Sequence, residues 1–195
     1  MTPLQVAAKK ASIPAMSLLL EYKADINAAP GEEFGRTALQ AATSSEDCNR
    51  DINAVEFLIS KGAEVNAPPA KKRGVTALQG AAIHGDFSIV KLLLQHGADI
   101  NAPASPEEGR TAIEGAAEHG RMDMVKFLIG QGGLPDPILG FSRAVKLAEE
   151  EDHFAIAEVL REFEKTFPIQ PTGFEDVSFE GFSEFLSAQG VGIFS

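Results

Sequence analysis

Apolar positions along this chain fall into two alternating kinds of short block. One is small-sided, as in Val6-Ala7-Ala8, Ala41-Ala42, Ala81-Ala82 and Ala116-Ala117. The other is bulky and falls at helical spacing, as in Phe87, Val90, Leu93 and Leu94, the stripe of an amphipathic helix. Bulky helices are expected to begin near Pro14, Ile52, Phe87, Met122 and His153. Each small-sided block follows a polar phrase: Thr2-Pro-Leu-Gln5, Thr37-Ala-Leu-Gln40, Thr76-Ala-Leu-Gln79 and Thr111-Ala-Ile-Glu114. A threonine followed three residues on by Gln or Glu makes a capping box. Its hydroxyl accepts the backbone N–H of the third residue, whose side chain reaches back to the threonine N–H. Pro3 suits the first helical position. The pattern therefore predicts pairs of helices, the first short and small-sided, the second bulkier.

The pairs recur. The threonines are separated by 35, 39 and 35 residues, and a weaker fifth copy, Arg143-Ala-Val-Lys-Leu-Ala148, follows 32 residues after Thr111. A period of this length means a stack of small units. An active surface on such a stack is expected to be an extended face and not a catalytic pocket.

Gly62, Gly97 and Gly132 follow the second helices, where a left-handed residue commonly ends a helix. The first repeat has Lys23 there, at an expected cost of about 1 kcal/mol if the geometry is kept. Between units run loops rich in Pro, Gly and charge: 28–35, 67–74 and 102–109. From Asn27, Asn66 and Asn101 to the next threonine is ten residues each time, so one shared loop architecture is expected, an extended finger with a turn at its tip.

These phrases resemble the ankyrin repeat, whose consensus is close to G-x-T-P-L-H-x-A-A, then V-x-L-L-L, then G-A-D-V-N-A. Here it stands as Gly35-Arg-Thr-Ala-Leu-Gln-Ala-Ala42 and as Gly74-Val-Thr-Ala-Leu-Gln-Gly-Ala-Ala82 with Val90-Lys-Leu-Leu-Leu94 and Gly97-Ala-Asp-Ile-Asn-Ala102. "NAPPA" (66–70) and "TALQGAA" (76–82) resemble ankyrin segments of large filamentous-fungal proteins. Gln or Glu replaces the family histidine at residues 5, 40, 79 and 114, and the second repeat carries four extra residues around 45–51. The resemblance implies an all-α solenoid of about five helix-pair repeats with long loop fingers. The expected repeats are 2–34, 35–73, 74–108, 109–140 and 141–167, followed by a non-repeat segment, 168–195.

Charge sharpens the functional reading. The net charge is −11, of which residues 1–148 carry −2 and residues 149–195 carry −9. So acidic a chain lacks the basic stripe of a nucleic-acid binder. One cysteine, Cys48, excludes an intrachain disulfide and suits a reducing compartment, cytoplasmic or nuclear. No stretch is long and apolar enough to span a bilayer. Because Thr2 already lies in a capping box, the chain is expected to be part of a longer protein or of a complex, the alternative being a first repeat that caps the stack itself with Lys9, Lys10, Ser12 and Ser17.

Chemistry is sparse. His84 and His119 occupy the same repeat position, 35 residues apart, but a structural zinc site takes about four ligands, and two repeated surface histidines are the simpler reading. Gly130-Gln-Gly-Gly133 lacks the lysine of a phosphate loop. Glu149-Glu-Glu-Asp152 lacks the alternating ligands and central glycine of a calcium loop, and reads as the end of one helix and the cap of the next. No catalytic residue, cofactor or metal ligand is assigned, and the chain reads as a non-enzyme.

The resemblance implies that a protein or peptide partner touches the loop fingers and the exposed face of the first helices. The residues after each small block are Lys9 and Lys10, Thr43 and Ser44, Ile83 and His84, Glu118 and His119, and Glu150 and Glu151. Those before the capping threonines are Arg36, Val75 and Arg110. The finger tips alternate in sign: Glu32-Glu33-Phe34, Lys71-Lys72-Arg73, Glu107-Glu108. The expected partner-binding set is Phe34, Arg36, Val75, Ile83, His84, Arg110, Glu118 and His119. Phe34, Val75 and Ile83 stand out as apolar residues expected at an exposed edge.

Beyond Pro168 the repeat pattern stops, and 174–186 is acidic and rich in phenylalanine. Phe179, Phe182 and Leu186 would share one face of a short helix. The segment is expected to cap the last repeat. The alternative is a peptide that docks on another protein. A third reading makes the repeats the frame of an enzyme or toxin-like effector, but no convergent nucleophile and base supports it.

Overall fold

The computed structural model describes residues 1–44, 51–134 and 141–166, so the acidic segment 168–195 and most of the second-repeat insertion lie outside the described residues. Among the described residues ten helices follow one another: α1 (Pro3–Lys9), α2 (Ile13–Glu21), α3 (Ala38–Thr43), α4 (Ile52–Ser60), α5 (Ala77–His84), α6 (Phe87–Gln95), α7 (Ala112–Glu118), α8 (Met122–Gly130), α9 (Ser142–Glu150) and α10 (Phe154–Thr166). The second helices start within one residue of the expected positions. Contacts divide the chain into two compact units, Met1–Ala112 and Ile113–Ser195.

In the first unit each helix packs on its pair-mate, and the first helices form a row in which α1 lies against α3 and α3 against α5. All three expected capping boxes are closed here. Gln5, Gln40 and Gln79 donate their backbone N–H to Thr2, Thr37 and Thr76 hydroxyls and accept the threonine N–H on Oε1. The small residues explain how close the row is. A Cβ on Gly80 would lie 3.0 Å from Ser44 Cβ and 3.1 Å from Thr43 Oγ1. Behind this row the bulky helices supply Met16, Val55, Leu58, Val90 and Leu93, all buried, which is where apolar burial stabilises the stack.

The glutamines that replace the family histidine do a second job. Gln40 Nε2 donates to Ala67 O (2.9 Å) and Pro68 O (3.1 Å), and Gln79 Nε2 to Ala102 O (3.0 Å) and Pro103 O (3.1 Å). Gln5 does the same to Ala28 and Ala29. One amide thus satisfies a helix N-terminus and fastens the base of the finger that follows. The side chain is buried in each case, where unmet polar groups are costly.

Asparagines join the opposite edge. Asn27 donates to Gly62 O (3.1 Å) and accepts from Glu64 N (2.9 Å), and Asn66 treats Gly97 O and Asp99 N the same way, both at 2.8 Å. Gly62, Gly97 and Gly132 have φ of +92°, +77° and +87°, and Lys23 holds φ +65°. The expected geometry is therefore kept even without glycine.

In the second unit α9 packs on α10. The fifth repeat lacks a capping threonine, and the backbone N–H of Phe141, which precedes α9, donates instead to Glu164 Oε1 of α10 (3.2 Å). Arg143, at the threonine's repeat position, pairs with the buried Glu114 at 3.3 Å. The acidic run 149–152 closes α9, as expected, with Glu151 as its C-cap and Asp152 left-handed.

Candidate functional site

The three fingers of the first unit are built alike. Each closes at a glycine pressed on the residue four before it. Cβ atoms on Gly35, Gly74 and Gly109 would stand 2.1, 2.2 and 2.3 Å from backbone atoms of Gly31, Ala70 and Ser105. Side chains cannot exist at such distances, so the two arms of the finger touch through backbone alone.

The finger tips bond to one another. Glu33 bridges to Lys72 and Lys72 to Glu107 in parallel register. The bonds are Phe34 N to Lys72 O (3.1 Å), Lys72 N to Glu32 O (3.2 Å), Arg73 N to Glu107 O (2.9 Å) and Glu107 N to Lys71 O (3.1 Å). Side chains repeat the ladder: Lys72 meets Glu33 at 2.6 Å, Lys71 meets Glu107 at 3.1 Å, and Arg73 meets Glu108 at 2.5 Å. The alternation of sign along the fingers therefore serves finger-to-finger pairing. Lys72 holds the Glu33 carboxyl below the ordinary glutamate range, and Glu33 in turn raises the Lys72 ammonium.

Phe34, Arg73 and Glu108 occupy one repeat position and share a left-handed backbone, with φ of +51°, +52° and +56°. Non-glycine residues pay for this conformation about 1–2 kcal/mol each. Their stacking accounts for the choice. The Arg73 guanidinium covers the Phe34 ring at 5.2 Å and its Nε donates to Glu108 Oε2 at 2.6 Å. Phe34 remains 56% exposed, so it keeps a free apolar surface as expected.

Val75 does not. It is only 7% exposed, a correction to its expected place on the edge: the finger closes at Gly74 against Ala70, and Val75 is enclosed with them. Thr43 is likewise fully buried, its hydroxyl donating to Gln40 O (3.2 Å). The repeat equivalent of Ile83 is therefore Ser44 alone. Ile83 and His84 are half-buried at the end of α5.

Arg36 lies along α3. Its Nε donates to Ser44 Oγ (3.2 Å) and its Nη1 to Gly35 O (2.8 Å). No carboxylate of the described residues faces it, and burial pushes its pKa down. Arg110 donates from Nη1 to Glu108 O (3.3 Å) and Gly109 O (3.1 Å). In the second unit Glu118 is half-buried, and His119 is exposed with Nδ1 3.0 Å from Gly115 O.

Sequence reasoning missed the contact of the His153 ring with Gly120, where a Cβ would come within 2.7 Å of the ring. Nothing in the sequence joins the two. One open depression of about 540 Å³ lies at the starts of α4 and α6, lined by Asp51, Ile52, Gly85, Asp86, Phe87, Ser88 and Ile89. Among the described residues that line it there is no histidine, cysteine or lysine. Among the described residues no three His, Cys, Asp or Glu side chains could hold one metal ion, and no helix is long and apolar enough to cross a membrane.

No curated protein matches the chain. Family models do. One for ankyrin repeats (3 copies) matches residues 1–69, and one for ankyrin repeats (many copies) matches residues 49–94 and 78–129. Repeats of this kind are in general protein–protein interaction modules. With capped helix pairs, small-sided first helices and finger loops in register, and with family models covering residues 1–129, this chain belongs to the ankyrin-repeat family.

Proposed function

We propose that the chain is a non-catalytic protein-interaction module that binds a protein or peptide partner along its loop fingers and the exposed edge of its first helices. The observation that carries this reading is the division of labour in the first unit. The charged finger tips pair among themselves, whereas the edge formed by Phe34, Arg36, Ile83 and His84 keeps half-buried or exposed side chains of mixed chemistry. Such an edge offers apolar contact area and charge without a reacting centre. In the second unit, taken by itself, Glu118 and His119 hold the repeat positions of Ile83 and His84 and are proposed as contact residues there. Its partner is a protein and not nucleic acid, given the net charge of −11.

The test is site-directed photo-crosslinking. A photoreactive residue is placed at position 34 or 83, and for comparison at position 56 or 91, where exposed residues lie on the second helices. Discrete adducts from 34 and 83 alone support the reading. Adducts from 56 and 91 alone overturn it.

A further inference from the structure

The binding edge of the first unit has a charge pattern that selects among partners, and this inference rests on the reading just proposed. A guanidinium carries five N–H donors. In Arg36 the hydrogen-bond partners are neutral oxygens, Ser44 Oγ and Gly35 O. The stem is half-buried along α3, which holds the charged head in place. Three of the four finger-tip acids are already matched, Glu33 by Lys72, Glu107 by Lys71 and Glu108 by Arg73, and the fourth, Glu32, is exposed on the tip. The helices on either side of α3 add no acid at the corresponding ends. The end of α1 carries Lys9 and Lys10, and that of α5 carries Ile83 and His84.

We infer that Arg36 is a carboxylate receptor: it takes an Asp or Glu side chain of an extended acidic peptide lying across the ends of α1, α3 and α5. The planar fork of arginine matches a carboxylate with two parallel N–H···O bonds, and the partners it already has fix its orientation before the peptide arrives. Lys9 and Lys10 favour further acidic residues toward α1, whereas Ile83 favours an apolar residue toward α5. The peptide therefore has a direction, acidic end on α1 and apolar end on α5.

The test begins with random linear peptides displayed on phage and selected on the full chain, followed by fluorescence polarisation with the strongest selected peptide. The expected ligands hold an Asp or Glu beside an apolar residue. Arg36→Met should weaken binding about tenfold to a hundredfold, as loss of a charge-assisted hydrogen bond does. Arg36→Lys should recover part of it, and Lys91→Met on the second-helix side should change nothing. The melting temperature of Arg36→Met is measured alongside, so that a folded but non-binding variant is identified as such. Ligands without an acidic residue, or binding unaffected by Arg36→Met but lost on changing Phe34 and Ile83, overturn the carboxylate assignment and leave the interaction edge standing. Glu46 and Asp47 precede α4. If Glu46→Gln with Asp47→Asn tightened binding tenfold, Arg36 would be neutralised by the chain itself and the assignment would fall. Peptides insensitive to Phe34, Ile83 and Arg36 together overturn the interaction edge.

Discussion

The Arg73 guanidinium lies over the Phe34 ring at 5.2 Å while pairing with Glu108 at 2.5 Å. One side chain thus links three consecutive fingers, and all three residues hold a left-handed backbone to do so. The fingers are held in register by these contacts and by the backbone bonds beneath them. Arg73→Ala should leave the helical core intact but loosen the fingers. Amide exchange at Phe34 and Arg73 should speed up, while that at Leu58 and Leu93 stays slow.

The Glu33–Lys72 pair predicts a pH response with a definite sign. The folded-state pKa of Glu33 is depressed, so its contribution is present above the ordinary glutamate value of 4.5 and is lost as pH falls through the lower folded value. Lys72 is raised, so its contribution is present below its ordinary value of 10.5 and is lost as pH rises through the higher folded one. The pair is thus constant across neutral pH and fails at both extremes. Glu33 is exposed and Lys72 half-exposed, so salt should screen the pair. Carboxyl NMR titration should give Glu33 a midpoint below the ordinary value, and Lys72→Met should return it toward that value. A midpoint unmoved by Lys72→Met would refute the pairing.

Gln79 should be among the least replaceable polar residues. Gln79→Ala removes the acceptor of the Thr76 N–H and the donor to Ala102 O and Pro103 O. Leaving such buried groups unmet costs about 1–3 kcal/mol each, so a loss of at least about 2 kcal/mol in urea unfolding is expected. Gln79→Glu should be worse at neutral pH, because a carboxylate oxygen would face two carbonyl oxygens. Equal stability of Gln79→Ala and the parent chain would show that this bracket contributes nothing.

Two kinds of glycine should respond differently. At Gly97 the backbone is left-handed but nothing lies within 4 Å of an added Cβ, so Gly97→Ala should cost about 1 kcal/mol. At Gly74 the added Cβ would meet Ala70 O at 2.2 Å, an overlap only backbone movement can relieve, so the loss should be larger. Lys23 holds the left-handed geometry without glycine, and Lys23→Gly should stabilise by about 1 kcal/mol. Thermal unfolding of the three variants checks the ranking.

Local chemistry explains which of these features were legible in the sequence. Capping boxes and helix-ending glycines act within a few residues, so the starts of α1 through α8 could be read from Thr2, Thr37, Thr76, Thr111 and the bulky stripes. The constant ten-residue step likewise foretold fingers of one design. Register between repeats is another matter. That Lys72 meets Glu33 and Glu107 depends on how fingers 35 to 39 residues apart align, and sign alternation alone suits a partner equally well. Val75 and Thr43 are buried against expectation for a related reason. Burial at a finger base or helix end depends on close backbone approach, and neither residue's chemistry reveals it. The same holds for Gln40, whose capping role is local but whose grip on Ala67 and Pro68 spans 27 and 28 residues.

The row of first helices makes the last prediction. Val6, Ala41 and Gly80 each stand four residues after a capping threonine, yet their sizes and surroundings differ. Ala41 is buried, whereas Val6 is 46% exposed. A Cβ on Gly80 would meet Ser44 Cβ at 3.0 Å and Thr43 Oγ1 at 3.1 Å, closer than ordinary carbon contacts allow. Gly80→Ala gains helix propensity of about 1 kcal/mol but must shift α3 by a few tenths of an ångström, so its net effect should be small. Gly80→Val adds two more carbons on the same contact and should destabilise by about 1–3 kcal/mol, as overpacking does. Val6→Ala removes mostly exposed atoms and should change stability by less than about 1 kcal/mol. Urea unfolding of all three variants tests the packing of α3 on α5. If Gly80→Val were as stable as the parent, the row would not be close-packed there, and the small-sided blocks would need another reason.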